Sequence, residues 1–146
     1  LETLNEVLAE YANGCLLDSE NADLWLGRSQ ASAQRIFTNP SLFREIGEES
    51  LVFAKRAVEI SPSYNRAWSQ LGLAYALSGN TDAAEEALLK GLALAPNSSN
   101  AHYYWSSFAG AFEDKMEAAK KSAKRAVEIN PQNGPALRVN RKLNIL

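Results

Sequence analysis

Nine residues occur twice in this chain with a single difference: AKRAVEISP at 54–62 and AKRAVEINP at 123–131. The two copies lie 69 positions apart, and between their closing prolines, Pro62 and Pro131, stands Pro96, 34 residues after the one and 35 before the other. A chain that repeats at this period cannot rely on one irregular core. Each unit must be a small supersecondary motif that is stable only when stacked on its neighbours.

The middle unit, WSQLGLAYALSGNTDAAEEALLKGLALAP from Trp68 to Pro96, shows what the motif is. Trp68, Leu71 and Tyr75 fall at i, i+3 and i+7, which sets three large groups on one helix face and leaves Gly72 where a neighbour must come close. Ser78-Gly79-Asn80-Thr81 then breaks the helix. Gly79 suits a left-handed residue at its end, and Asn80 or Thr81 can cap the next helix. Ala84, Ala87, Leu88, Gly91 and Leu92 resume the helical spacing with mostly small side chains, and Pro96 stops it.

Trp68, Leu71, Gly72, Tyr75, Ala84, Leu88 and Pro96 follow the pattern W-x2-L-G-x2-Y…A-x3-F…P, with Leu88 at the aromatic place, and the chain resembles the tetratricopeptide-repeat family. The resemblance implies an all-α fold, a right-handed α-α superhelix of about eight helices arranged as helix-turn-helix repeats. It further implies a scaffold that holds a peptide or partner protein along a concave face lined by the first helix of each pair. On this reading residues 1–146 form a single domain. A partial repeat, its second helix only, covers 1–18; an expanded repeat covers 19–62; repeats follow at 63–98 and 99–133; and a capping helix closes the chain at 134–146.

The units depart from the pattern in particular places. Leu4, Val7, Leu8 and Tyr11 give the first unit an apolar face expected to lie partly open unless upstream sequence or a second copy covers it. In the second unit Trp25 stands where Trp68 stands later, but Arg28 and Ser29 replace the Leu-Gly pair. Ser19 to Pro62 is 43 residues, about nine more than the period of about 34. The spacing predicts that these lengthen both helices around Thr38-Asn39-Pro40. In the fourth unit His102, Trp105 and Ser106 take the places of Trp68, Leu71 and Gly72, and one extra residue enters the turn near Glu113-Asp114-Lys115. Arg138, Asn140, Arg141 and Lys142 make the last helix polar, as expected of a terminal cap, with Leu143, Ile145 and Leu146 packing back.

Function is bounded largely by exclusion. A net charge of −2 argues against a general nucleic-acid or anionic-membrane binder. No apolar run approaches the 18 or so residues of a membrane span, so direct membrane insertion is not expected. One histidine, His102, is too few for a multi-histidine metal site or a histidine-dependent triad. Cys15, the one cysteine, lies on an apolar helix end with no basic residue near it in sequence and reads as a small buried hydrophobe. Glu48-Glu49 and Glu85-Glu86 are adjacent, so each pair points to different sides of a helix rather than at one substrate. Lys120, Lys121, Lys124 and Arg125 read as an exposed basic face. No cofactor and no catalysis are expected. Leu1 in place of a starting Met reads as a segment cut from a longer protein, whose targeting sequence, if any, would lie outside it. The piece could then serve as the regulatory or scaffolding arm of a larger enzyme or membrane protein, or pair with itself through the N-terminal helix as a homo-oligomer.

The family's inward positions on successive first helices are Asp23, Leu26, Gly27 and Gln30, then Arg66, Ser69, Gln70 and Leu73, then Asn100, Tyr103, Tyr104 and Ser107, with Arg138 on the last helix. From these, the expected partner-binding groove comprises Leu26, Gln30, Arg66, Ser69, Gln70, Leu73, Asn100, Tyr103, Tyr104, Ser107 and Arg138. Amides, tyrosines and arginines suit a protein or peptide partner whose backbone needs donors and acceptors and whose side chains need flat apolar contact. The lysine and asparagine set by which chaperone-binding members hold a C-terminal carboxylate is missing, since Leu26, Gln30 and Ser69 occupy the comparable places.

Overall fold

A computed structural model describes residues 2–145. Among them are eight α-helices: α1 Leu4–Leu17, α2 Ala22–Gln34, α3 Phe43–Ile60, α4 Asn65–Ser78, α5 Thr81–Leu94, α6 Ser99–Ala109, α7 Met116–Ile129 and α8 Gly134–Lys142. Five begin on a side-chain cap. Thr3 and Glu6 form a reciprocal capping box on α1, and Asn21, Asn80, Ser98 and Asn133 each accept a backbone N–H of α2, α5, α6 and α8. Gly79, at φ 90°, closes α4 in the left-handed region that favours glycine.

Each helix packs on the next, and α2, α4, α6 and α8 also touch in sequence, forming one row, with α3, α5 and α7 in a second row behind it. The result is a solenoid of helix hairpins. Alanine dominates the seams: Ala54, Ala57, Ala67, Ala74, Ala84, Ala109, Ala119, Ala123, Ala126 and Ala136 are wholly buried. Such small groups let paired helices approach closely, and larger side chains fill the remaining space. Leu71 packs with Ala54 and Ala87, while Leu88, Trp105 and Leu143 share a cluster at the C-terminal end.

The register of the repeats is held by one recurring hydrogen bond. Trp25 Nε1 donates to the Ser19 carbonyl at 2.9 Å, and Trp68 Nε1 to that of Pro62 at 2.8 Å. His102 Nε2 meets the Pro96 carbonyl at 2.8 Å, again six residues back. A carbonyl can only accept, so this contact places the proton on Nε2 and leaves Nδ1 to the Ser122 hydroxyl, 2.7 Å away.

The substitutions in the second hairpin have local reasons. Ser29 and Ser50 exchange hydroxyl-to-carbonyl bonds of 2.8 and 3.0 Å, and Gln70 Nε2 donates to both hydroxyls at 3.1 and 3.3 Å, so three buried polar side chains tie α2, α3 and α4 together. Where Gly72 accepts Leu88 at close range, Ser29 accepts another small polar group. The Arg28 guanidinium lies 4.1 Å over the Phe53 ring. It also reaches the thiol of Cys15, so a basic residue is near that cysteine after all; burial still pushes the thiol up from its ordinary value.

Two expectations are corrected here. The extra residues of the second hairpin do not lengthen both helices: α2 has 13 residues against 14 in α4, and the surplus forms 3-10 turns at Arg35–Phe37 and Pro40–Leu42 and extends α3 to 18 residues. Proline at the start of the second turn supplies a fixed φ without continuing α2. On α1 the residues Leu4, Val7, Leu8 and Tyr11 are half-buried, with the Tyr11 ring seated against Gly27; the exposed apolar side chains there are Leu16 and Leu17, 83% and 80% accessible. On α8 Asn140 is buried, its amide donating to the carbonyls of Ala123 and Ala136 at 2.7 and 2.9 Å. Leu143 and Ile145 join the terminal cluster, and Leu146 lies outside the described residues. None of the described helices is long and apolar enough to cross a membrane.

Candidate binding cleft

The first-helix row carries two adjoining depressions that share Gln30, Gln70 and Tyr104 in their walls. One is a small polar recess of about 60 Å³ lined by Asn65, Arg66, Ser69 and Asn100. The other is a cleft of about 660 Å³ lined by Ala33, Ile36, Phe37, Leu73, Ala76 and Leu77. Amides and a guanidinium at one end thus run into an apolar trough at the other.

Helical spacing explains the composition. Arg66, Ser69, Gln70 and Leu73 occupy one stripe of α4, facing Gln30 and Ala33 on α2 and Asn100 and Tyr104 on α6. Burial pushes the Tyr104 phenol above its ordinary value, the neighbouring Tyr103 adds to the effect, and the charge of Arg66 opposes it. Arg66 Nη1 donates to the Tyr64 hydroxyl at 3.4 Å, and that hydroxyl donates to Asp23 Oδ1 at 2.5 Å. This chain orients the guanidinium across the polar end. The Tyr64 phenol is itself raised, first by burial and next by its bond to Asp23.

Seven of the eleven expected groove residues line these depressions: Gln30, Arg66, Ser69, Gln70, Leu73, Asn100 and Tyr104. Two of the seven have other duties, since Ser69 is 2% exposed and the Gln70 amide nitrogen is committed to Ser29 and Ser50. The other four lie elsewhere. Leu26, 2% exposed, belongs to the core with Ala57 and Ala67 because its position on α2 turns it toward α3. Tyr103 meets Tyr104 at a tilt, ring centroids 4.9 Å apart, and does not line either depression. Ser107 faces a separate shallow recess beside α8, and Arg138 is exposed outside both depressions.

Sequence reasoning missed Ile36 and Phe37, which the 3-10 turn after α2 brings to the mouth of the apolar trough, Phe37 being 86% exposed. A salt bridge from Arg35 to Glu49 fastens that turn to α3. Their signal was the surplus length of the second unit.

Tetratricopeptide-repeat models match residues 65–98 and 103–133. These two segments are tetratricopeptide repeats. The solenoid is similar in fold to several solved tetratricopeptide-repeat structures. A thermophilic tetratricopeptide-repeat protein of Thermus thermophilus superposes with a TM-score of 0.83 at 20% identity, covering 98% of this chain and 74% of the other. The first tetratricopeptide repeat of Spaghetti (RPAP3) bound to the HSP90 peptide SRMEEVD gives 0.66 at 20% identity, covering 88% and 94%. YrrB, a tetratricopeptide-repeat protein with an unusual peptide-binding site, gives 0.55 at 21% identity, covering 94% and 84%. No curated protein matches the chain in sequence.

Proposed function

We propose that this tetratricopeptide-repeat chain is a non-catalytic interaction module that binds an extended segment of a partner protein along α2, α4 and α6. The observation that carries the reading is the continuity of the polar recess with the apolar trough through Gln30, Gln70 and Tyr104. Asn65, Asn100 and Gln30 offer amides to a peptide backbone, and Ile36, Phe37, Leu73 and Leu77 receive an apolar side chain. Arg66, for which no carboxylate lies within ion-pair reach among the described residues, favours an acidic group at the polar end. Two of the structurally similar proteins bind peptides, which supports the class of partner and not its identity. With Leu26, Gln30 and Ser69 at the comparable places, a carboxylate-clamp mode is disfavoured.

The test begins with a peptide selected on the protein from a random displayed library. Leu73→Glu and Arg66→Ala are each expected to weaken its binding by about tenfold or more while the helical content stays the same. Unchanged affinity in both folded variants overturns the placement. Self-association is a second reading, favoured by the exposed pair Leu16 and Leu17 at the end of α1. Light scattering across a concentration series tests it, and a monomer throughout ends it.

A further inference from the structure

The fourth hairpin contains a pocket of about 520 Å³ on the side of the second-helix row, between α5, α6 and α7. Leu92, Pro96 and Trp105 supply apolar wall, His102 and Ser122 lie at its base, and Lys121, Lys124 and Arg125 stand on its rim. The chain itself shows what such a place can hold, because the second hairpin carries the same site. Val52, Lys55, Arg56 and Glu59, 69 positions earlier, line a recess there of about 370 Å³ beside Trp25.

In the second hairpin aromatic rings from the chain fill part of the space, and the recess is the smaller of the two. Trp25 and Phe53 lie with centroids 6.1 Å apart, and Arg28 covers Phe53. In the fourth hairpin the corresponding residues are His102, Ser122 and Trp105. His102 keeps the hydrogen bond of the missing indole, so register is preserved while ring volume is lost. Ser122 replaces a phenyl group with a hydroxyl bound to that imidazole.

The rims also differ in charge. Arg56 is neutralised by Glu20 and Glu59, and Lys55 lies 5.5 Å from the centre of the Tyr75 ring. Of the three cations on the rim of the fourth hairpin, Arg125 is paired, with Glu128 at 3.5 Å. Among the described residues Lys121 and Lys124 have no carboxylate within ion-pair reach, and they flank an apolar opening on a chain whose net charge is −2.

We infer that this pocket is a second docking site, which takes an aromatic side chain from an acidic segment of a partner protein. The missing Trp25 and Phe53 equivalents define the ring-shaped occupant, and the two free lysines define the flanking charge. A peptide is favoured over nucleic acid because the basic groups form a short rim with Glu117 and Glu128 beside them rather than an extended stripe. The site is distinct from the cleft on α2, α4 and α6 and does not depend on it.

The test uses three capped pentapeptides, Asp-Glu-Phe-Glu-Asp, Asp-Glu-Ala-Glu-Asp and Lys-Lys-Phe-Lys-Lys, together with oligothymidylate, each titrated into isotope-labelled full chain and followed by amide chemical shifts. The acidic phenylalanine peptide should shift the amides of His102, Trp105, Ala118, Lys121 and Ser122 saturably, and those shifts should persist in Leu73→Glu. The alanine peptide should bind at least about fivefold more weakly, and the basic peptide should not saturate. Filling the pocket with His102→Trp and Ser122→Phe together should weaken binding by at least about tenfold without lowering the melting temperature, and Lys121→Glu with Lys124→Glu should do so even if the filled variant does not fold. The inference is overturned by shifts confined to the α2–α4–α6 cleft, by unchanged binding in the lysine variant, by tighter binding of oligothymidylate, or by no saturable shift at millimolar peptide.

Discussion

His102 Nε2 lies 2.8 Å from the Pro96 carbonyl, the counterpart of the contact from Trp68 to Pro62. An imidazole and an indole therefore do the same structural work at equivalent places. His102→Ala removes that donor and leaves the Ser122 hydroxyl without its ring partner. The loss should be about 1–3 kcal/mol of unfolding free energy, and His102→Trp, which restores the donor, should recover most of it. Urea denaturation of the three proteins makes the comparison.

Gly72 and Gly79 are glycines for different reasons, and alanine should separate them. A Cβ at residue 72 would stand 2.5 Å from Leu88 Cγ and 3.1 Å from the Ala84 carbonyl, so α4 and α5 must move apart. At residue 79 nothing lies within 4 Å, and the penalty is that of a left-handed backbone alone. Gly72→Ala should cost about 2–3 kcal/mol and Gly79→Ala about 1–2, read from the shift in urea midpoint at unchanged slope.

The Ser29–Ser50–Gln70 network should show strong non-additivity. Ser29→Ala alone leaves a buried Gln70 N–H unpaired and should cost about 1–3 kcal/mol. Combining Ser29→Ala, Ser50→Ala and Gln70→Leu removes donors and acceptors together and should cost less than the three single changes added. A mutant cycle by calorimetry measures the difference.

Alkaline pH should destabilise the fold. Burial raises Cys15 from its ordinary 9.0 and Tyr64 and Tyr104 from their ordinary 10.0. A folded-state value above the unfolded one means that the unfolded chain loses its proton first. The stabilisation is therefore complete below pH 9 and is lost as pH rises through the raised values. Cys15→Ala and Tyr104→Phe should each flatten the alkaline limb of a stability profile from pH 8 to 11, whereas a limb of unchanged steepness would show that those groups do not contribute.

The repeat period and the helix hairpins were legible because turns and small-residue seams use residues whose physics is local: Gly79, Asn80, Pro96 and the alanines. Family models likewise match 65–98 and 103–133 and leave the first 64 residues unmatched, where Arg28 and Ser29 replace the usual pair. Most of the α4 face could be placed from the inward positions that the family resemblance implies. Leu26 could not, because one stripe of α2 serves both core and cleft and only the packing of α3 decides between them. Ile36 and Phe37 were hidden in a turn whose path has no periodicity. The network joining Ser29 to Gln70 spans 41 residues and leaves no trace in local pattern.

The account rests on the first-helix row being the partner-binding surface. The most direct measurement is an amide chemical-shift titration of the labelled chain with a library-selected peptide. The prediction is saturable shifts at Gln30, Ala33, Arg66, Leu73, Asn100 and Tyr104, lost in Leu73→Glu. Saturable shifts that bypass all six of these residues would contradict it.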